Sequence, residues 1–490
     1  MTKGPVDWEE PTRLEKLATL REMGIEPFAD AFPTTLTVGE AKRTFDARLG
    51  EAHALAGRLR ALRLHGKAAF LDLDDGSGKI QVHLRQDLLG EAWALMGLVD
   101  IGDIVGVRGA FFRTRRGEDT LEAEEIRILT KALRPLPSKW HGLQDVDLRY
   151  RQRYLDLIAN SGVRQVFETR SLIMREIRHF LDEQGFLEMD TPVISPVASG
   201  AAARPFVTHV NALDVDGYLR IATELHLKRL LVGGFPKVYE LGRVFRNEGV
   251  DRQHNPEFTM LEVYEAYVDE EAMMRLVEDL CLRIALEVRG GPRITYQGVE
   301  LDFSPPWQRI SVGEVLRAKA DLAIEKMEDA AAWRQAAQER GLPSDPHVSD
   351  AKVVEGFFER YIEADLIGPT FLTDYPVLLS PLARRYPDRP TVARRFEPFV
   401  FRSEIGNGFA ELTDPLDQRS RFEEQARQRR AGDEEAHATD EDFLRALEHG
   451  MPPAGGLGIG VDRLVAIFTD QPSLRDVILF PFTRPKEGMP

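Results

Sequence analysis

Apolar side chains recur at two different intervals along this 490-residue chain, and the interval changes where the fold should change. Near the start, Leu14, Leu17 and Leu20 lie three residues apart and Gly24 follows. That spacing predicts a short amphipathic helix with a C-terminal stop over 11–24. A second helical piece is expected in GEAKRTFDARL. From 55 to 133 the interval shortens to two. LAGRLRALRLHG, KAAFLDLDD, KIQVHL, DIVGVRGAFF and DTLEAEEIRIL read as five short strands, with a helical stretch, QDLLGEAWALMGL, between the third and fourth. Asp75-Gly76-Ser77-Gly78 and Arg116-Gly117-Glu118-Asp119 supply turn signals between strands. The pattern predicts a small all-β barrel of OB type, and by itself also allows an SH3-like one.

Beyond the barrel, Arg134-Pro135-Leu136-Pro137-Ser138 is stiffened by its prolines, and LRYRQRYLDL could carry a helix into a larger domain. SLIMREIRHFLDEQGF has helical periodicity, whereas YLRIA, KVYELGRVFRNE, FTMLEVYEAY, FVFRSEIGNGFAEL and LGIGVDR read as strands or strand ends. They lack the strand-helix alternation of a doubly wound sheet, so an α+β domain with an antiparallel sheet flanked by helices is expected. The expected organisation is an N-terminal helical extension (1–54), the barrel (55–134), a linker (135–159) and an α+β domain (160–490) with a helical insertion (312–366).

Charge narrows the function. The 80 acidic residues outnumber the 64 basic ones, giving a formal net charge of −16. Nonspecific DNA coating depends on wholesale phosphate neutralisation and is disfavoured, although one basic face could still recognise a nucleic acid. The single cysteine, Cys281, excludes an intrachain disulfide and any cysteine-cluster metal site. MTKGPVDWEEPTR has no apolar signal core, and no run of about 18 apolar residues follows, so no membrane span and a cytoplasmic location are expected.

Three clusters could carry chemistry. VFRNEGVDRQHNPEFTMLEVYEAY holds Arg246, Glu248, Arg252, His254, Glu257, Phe258, Glu262 and Tyr264. On adjoining strands alternate residues share a face, and an arginine beside an aromatic suits a phosphate and a purine. A salt-bridged sheet surface with core aromatics reads the same way. AGGLGIGVDRLVAIF carries glycines at 455, 456, 458 and 460, then Arg463. Such a strand could leave one face bare for a flat ligand capped by Arg463, or could serve close strand–helix packing. In RFEPFVFRSEIGNGFAELTD, Glu397 and Glu404 would face opposite sides of one straight strand. A turn near Phe401-Arg402 could bring them together as Mg²⁺ ligands; otherwise they are solvated carboxylates.

Together these segments resemble the class II aminoacyl-tRNA synthetases. GFLEMDTPVI, with Pro192, looks like motif 1, FRNE with HNPEF like motif 2, and GLGIGVDR like motif 3. Within the class the text is similar to the bacterial lysyl-tRNA synthetases, through GKAAFLDLDDGSGKIQ, KWHGLQDVDLRYRQRYLDLI, YLRIATELHLKRLLVGGF, EIGNGFAELTDPLDQRSRF and LRDVILFPFTRP. The resemblance implies a homodimeric ligase that uses ATP, L-lysine, tRNA(Lys) and Mg²⁺, with an OB-fold anticodon-binding domain. It implies Arg246 on the α-phosphate and the lysine carboxylate, and Glu248 and His254 on the nucleotide. Phe258 and Arg463 would sandwich the adenine, and Glu397 and Glu404 would hold Mg²⁺. Gly200 and Glu262 would take the α-amino group; Glu224, Tyr264 and Glu411 the ε-ammonium, with Asn407 and Phe409 lining the pocket. Arg63, Phe70 and Gln81 would meet the anticodon, although a barrel-core role for Phe70 stays open. The text departs from the pattern at Ser199, Thr223 and His226; His226 is expected to face the core or a neighbouring strand. Three alternatives remain: a ligase for aspartate or asparagine, a paralogue that lysylates a translation factor, and an inactive regulatory or RNA-binding protein.

Overall fold

A computed structural model describes residues 11–137, 143–197, 200–201, 203–327, 329–345, 347–430 and 439–485. The chain divides into two compact units, Met1–Gln144 and Asp145–Pro490. Ser199 and Lys139-Trp140-His141-Gly142 lie outside the described residues.

In the first unit, α1 (Pro11–Glu22) buries Leu17 and Leu20, and the chain turns at Gly24 with φ 71°. α2 (Val38–Arg43) starts at a capping box. The Thr37 hydroxyl accepts from the Glu40 N–H and the Glu40 carboxylate from the Thr37 N–H. The five expected strands are present as β1 (Ala52–His65), β2 (Ala68–Asp74), β3 (Lys79–Arg85), β4 (Ile104–Arg113) and β5 (Asp119–Thr130). They close a barrel in the order β1-β2-β3-β5-β4, with β3 and β5 parallel. Alternation decides which side chains face inward. On β2, Ala69, Leu71 and Leu73 are buried, while Phe70 and Asp72 stay half-buried on the outer face.

The second unit begins at Asp145, earlier than the composition suggests. Arg153 explains this: it is fully buried, donates to the carbonyls of Leu479 and Arg475, and pairs with Asp156 at 2.5 Å. A buried guanidinium with all those partners fixes the segment to the domain. Next come α3 (Ser161–Glu183), β6 (Leu187–Glu188), α4 (Glu224–Val232), β7 (Lys237–Phe245), β8 (Glu257–Ala266) and α5 (Glu270–Arg289). The helix α3 starts ten residues before the expected segment. β9 (Gln308–Ser311) leads into the insertion, helical as expected: α6 (Val312–Ala320), α7 (Ala330–Glu339) and α8 (Asp350–Tyr361). The chain returns through β10 (Thr370–Pro376), β11 (Val392–Val400), β12 (Ser403–Glu404), β13 (Gly406–Ala410), α9 (Pro415–Arg430), α10 (Glu441–Glu448), β14 (Ala454–Gly460) and α11 (Val461–Phe468).

The main sheet runs β9-β10-β11-β13-β14-β8-β7-β6, with β12 paired to β11. Its centre is antiparallel, and only the outermost pairs, β9–β10 and β6–β7, are parallel. One face is apolar: Tyr239, Leu241, Leu261, Val263, Leu457 and Ile459 join Ile173, Ile177, Met273 and Val277 of α3 and α5 in one core. Each such side chain contributes about 1.5–3 kcal/mol of burial. The same period of two turns Phe258, Met260, Glu262 and Tyr264 to the opposite face, which lines a cavity. Among the described residues no helix is long and apolar enough to cross a membrane.

Candidate functional site

The open face of the sheet floors a cavity of about 410 Å³. Residues from three separate segments build its polar end. Glu262 is buried, and its Oε1 accepts the Thr223 N–H at 2.8 Å while Oε2 accepts the Tyr264 hydroxyl at 3.1 Å. Burial, with Glu224 beside it, pushes the Glu262 carboxyl up to about 7. Glu224 opens α4 and also lines the cavity. Gly200, with φ 96°, sits over this helix start, its missing side chain facing Ala222 at 3.4 Å and Glu224 at 3.7 Å.

The other end is arginine-rich. Arg246 follows β7, its N–H tied to the Pro256 carbonyl and its guanidinium 5.2 Å from the centre of the Phe258 ring. Arg463, in the first turn of α11, donates to the Glu404 carbonyl at 2.6 Å. Glu248 and His254 also line the cavity from the β7–β8 loop, His254 being exposed and held to Asp251 at 2.9 Å.

The strand β14 carries its glycines at two kinds of position. Gly458 and Gly460 line the cavity and Gly456 shares their face by alternation, while Leu457 and Ile459 enter the core. A Cβ at Gly458 would meet nothing nearer than the Asn407 carbonyl at 3.8 Å, so this stretch of floor is bare. At Gly456 the Cβ would fall 1.9 Å from Glu411 Oε1 and 2.6 Å from the Tyr264 ring. There the glycine is needed for close approach of a carboxylate.

Glu397 and Glu404 come together through a two-residue hairpin. Val400 pairs with Ser403, and Phe401 and Arg402 between them take φ 50° and 63°. Left-handed backbone at two non-glycine residues is unfavourable by about 1–2 kcal/mol each. The turn is held from outside: the Phe401 and Arg402 N–H groups donate to the carbonyls of Ile367 and Leu366, and the Phe401 ring packs edge-on against Tyr296. Glu397 accepts from the Tyr375 hydroxyl and from Arg395, each at 2.6 Å. Burial first, and Glu404 second, push Glu397 up to about 7. Among the described residues no group of three or more metal-ligating side chains is assembled.

Two residues that the sequence reading passed over join this constellation. Arg395 donates to Asn407 at 2.8 Å and to Glu397 at 2.6 Å, so one guanidinium ties together two residues of the cavity lining. Lys228 is fully buried, 2.5 Å from Glu224 and paired with Glu411. Its signal was the four-residue spacing Glu224–Lys228 within a helix. Glu411 itself is 1% exposed and sits against Gly456 and the Tyr264 ring, whereas Asn407 and Phe409 line the cavity.

On the barrel, Arg63, Phe70 and Gln81 share the outer face. Arg63 pairs with Asp72 at 2.7 Å, and Gln81 lies opposite Asp72 in register. Phe70 stacks on His83 at 4.7 Å, and His83 approaches Phe112 at 5.9 Å, giving an outer aromatic row that the sequence reading had only in part. Thr223 is buried, its hydroxyl without a hydrogen bond among the described residues, and His226 is part-buried, its pKa lowered by burial and by Arg229.

Comparison with known proteins follows the same division. The family model for class II tRNA synthetases (D, K and N) matches residues 145–484. The OB-fold nucleic acid binding domain matches 54–129, which decides between the two barrel types. A lysine–tRNA ligase of Moorella thermoacetica is 56% identical over 476 residues, 97% of each chain. Those of Pelotomaculum thermopropionicum and Syntrophomonas wolfei are 53% and 51% identical, each covering 97% of this chain and 94% and 97% of their own.

Proposed function

The chain belongs to the class II tRNA synthetases of the D, K and N group, and from that membership we infer that it is a lysine–tRNA ligase. It activates L-lysine with ATP, releases pyrophosphate, and passes the lysyl group to the 3′-terminal adenosine of tRNA(Lys). The observation that carries this reading is a single cavity with buried carboxylates Glu224 and Glu262 at one end and Arg246, Phe258 and Arg463 at the other. An amino acid with a cationic side chain suits the first end, because a neutral one leaves buried carboxylates unpaired. A nucleotide suits the second.

In the first step the lysine carboxylate attacks the α-phosphate. Arg246 holds both groups and counters the charge that develops between them; Arg463 and Phe258 enclose the adenine, with Glu248 and His254 against the nucleotide. Gly200 and Glu262 hold the α-amino group, while Glu224 and Tyr264, backed by Glu411, face the ε-ammonium beside Asn407 and Phe409. No side-chain nucleophile is needed: positioning and charge supply the rate. Two carboxylates joined by a tight hairpin, with Glu404 second to burial in pushing the Glu397 carboxyl up, are a donor set that fits a hard divalent cation. Mg²⁺ held by Glu397 and Glu404 would neutralise phosphate charge. The working assembly is a homodimer in the cytoplasm; exposed Leu187, Val193, Ile194, Val207 and Leu213 supply apolar surface for a subunit contact.

The test is ATP–pyrophosphate exchange across the twenty amino acids, followed by charging of tRNA(Lys). Exchange with lysine alone is expected; exchange with aspartate or none at all overturns the reading. The titration of Glu262 adds a sharper outcome. A carboxyl pushed up to about 7 is neutral below that pH and cannot attract an ammonium. The KM for lysine should therefore rise as pH falls from 8 to 6, approaching tenfold per unit below about 7. A lysine KM that stays flat over that range removes Glu262 from the site.

The barrel supplies the anticodon contact through Arg63, Phe70 and Gln81. Stacking of one base on an aromatic is worth about 1–3 kcal/mol. Phe70→Ala should then weaken tRNA(Lys) binding by about 5- to 150-fold while leaving tRNA-independent exchange intact. Equal tRNA affinity in the variant would return Phe70 to a purely structural role.

A further inference from the structure

The cation between Glu224 and Glu411 has no part in the reaction just described. Lys228 lies one helical turn after Glu224 and has no exposure; its ammonium stands 2.5 Å from Glu224 Oε1 and pairs with Glu411 Oε2. The rings of Phe409 and Tyr264 lie 5.2 and 6.0 Å from it. Glu411 Oε1 makes no hydrogen bond among the described residues. Burial pushes the carboxyls of Glu224 and Glu411 up, and Lys228 is the group that pulls both back. Burial alone would push Lys228 down, yet its two carboxylates more than offset that and raise it. Arg395 bears on Glu224, Arg246 on Glu262, and Tyr264 donates to Glu262.

The charges can be counted. Glu224, Glu262 and Glu411 share one buried volume with a single fixed ammonium, which leaves two negative charges when all are ionised. Free lysine brings two ammonium groups, and its carboxylate falls to Arg246. A neutral side chain would leave one buried charge unmatched. We propose that Lys228 is a positioning residue for amino-acid selection, which holds Glu411 in place, aims Glu224 into the cavity and sets the pocket's charge to accept one further side-chain ammonium. The proposal rests on the lysine reading, which wild-type exchange with lysine tests separately.

Three full-length variants, K228M, E411Q and K228M/E411Q, are measured for lysine KM, ATP KM and kcat in pyrophosphate exchange. Each single change leaves the charge count off by one and should raise the lysine KM by about tenfold or more, with ATP KM moved less than about twofold. The double change restores the count with Glu224 and Glu262 alone, and its lysine KM should fall closer to wild type than either single variant's. Removal of both partners of a buried pair is also better tolerated by the fold than removal of one. If K228M fails to fold, E411Q against the double decides. A double variant no better than E411Q, or unfolded where E411Q folds, overturns the proposal. So does a K228M enzyme with a wild-type lysine KM.

Discussion

Replacing Arg246 with alanine should lower lysine-dependent pyrophosphate exchange by about 10²- to 10³-fold, the usual penalty for removing one donor aimed at developing charge. The structure explains why no neighbour can substitute. The Arg246 backbone is pinned to Pro256, and its guanidinium lies over Phe258 at 5.2 Å, within the influence of Glu248, Glu404 and Glu262. Burial lowers its pKa, but those three carboxylates act in the opposite sense, and a guanidinium remains charged in any case. Among the described residues its side chain donates one long hydrogen bond, from Nε to the Ile221 carbonyl at 3.5 Å. Most of its donors are therefore free for phosphate and carboxylate oxygens, so the fold should barely notice the loss. Arg246→Lys should recover little, because an ammonium cannot grip two groups in one plane. Single-turnover exchange and a thermal melt check both halves. A variant that retains exchange would exclude Arg246 from the chemistry.

Gly456→Ala should be nearly as damaging, by a different route. The new methyl would lie 1.9 Å from Glu411 Oε1 and 2.6 Å from a carbon of the Tyr264 ring, and neither has room to withdraw: Glu411 is 1% exposed and Tyr264 3%. Expelling the carboxylate leaves Lys228 with one partner. Breaking a buried ion pair costs about 3–5 kcal/mol, which corresponds to roughly 150- to 5,000-fold if it falls wholly on lysine binding. A higher lysine KM and a lower Tm are both expected. Gly458→Ala, two residues on, meets nothing closer than 3.8 Å and should leave Tm unchanged. Equal melting temperatures for the two variants would refute the steric argument.

Much of the fold was legible because strand alternation is a local property. The five barrel strands were readable from period and turn signals and the helical insertion from its Ala- and Glu-rich composition, and the period of two assigned Glu262 and Tyr264 to one face. Motif text located both ends of the cavity. What stayed hidden depends on contacts across long separations. Lys228 looked like one basic residue among many until Glu411, 183 positions later, came to meet it. The role of Arg395 needs Asn407 and Glu397 on adjoining strands and the intervening turn in place. Arg153 read as part of a basic linker, since its partners Arg475 and Leu479 lie at the far end of the chain. His83 went unremarked because a lone histidine in an alternating strand carries no sign of the ring beside it.

The turn at Phe401-Arg402 has a consequence for how such a chain can be shortened. Its left-handed backbone is held by carbonyls of Leu366 and Ile367, where the helical insertion rejoins the sheet, and the Arg402 side chain adds a bond to Ala364. The insertion is thus a splint for the hairpin that sets Glu397 beside Glu404, as well as a decoration on the surface. Trimming it away would orphan two bulky residues in a conformation that only asparagine and glycine adopt readily. An ancestor or minimal enzyme without those helices would have to carry a different turn sequence at this point, and the deletion and the new turn would have to arrive together.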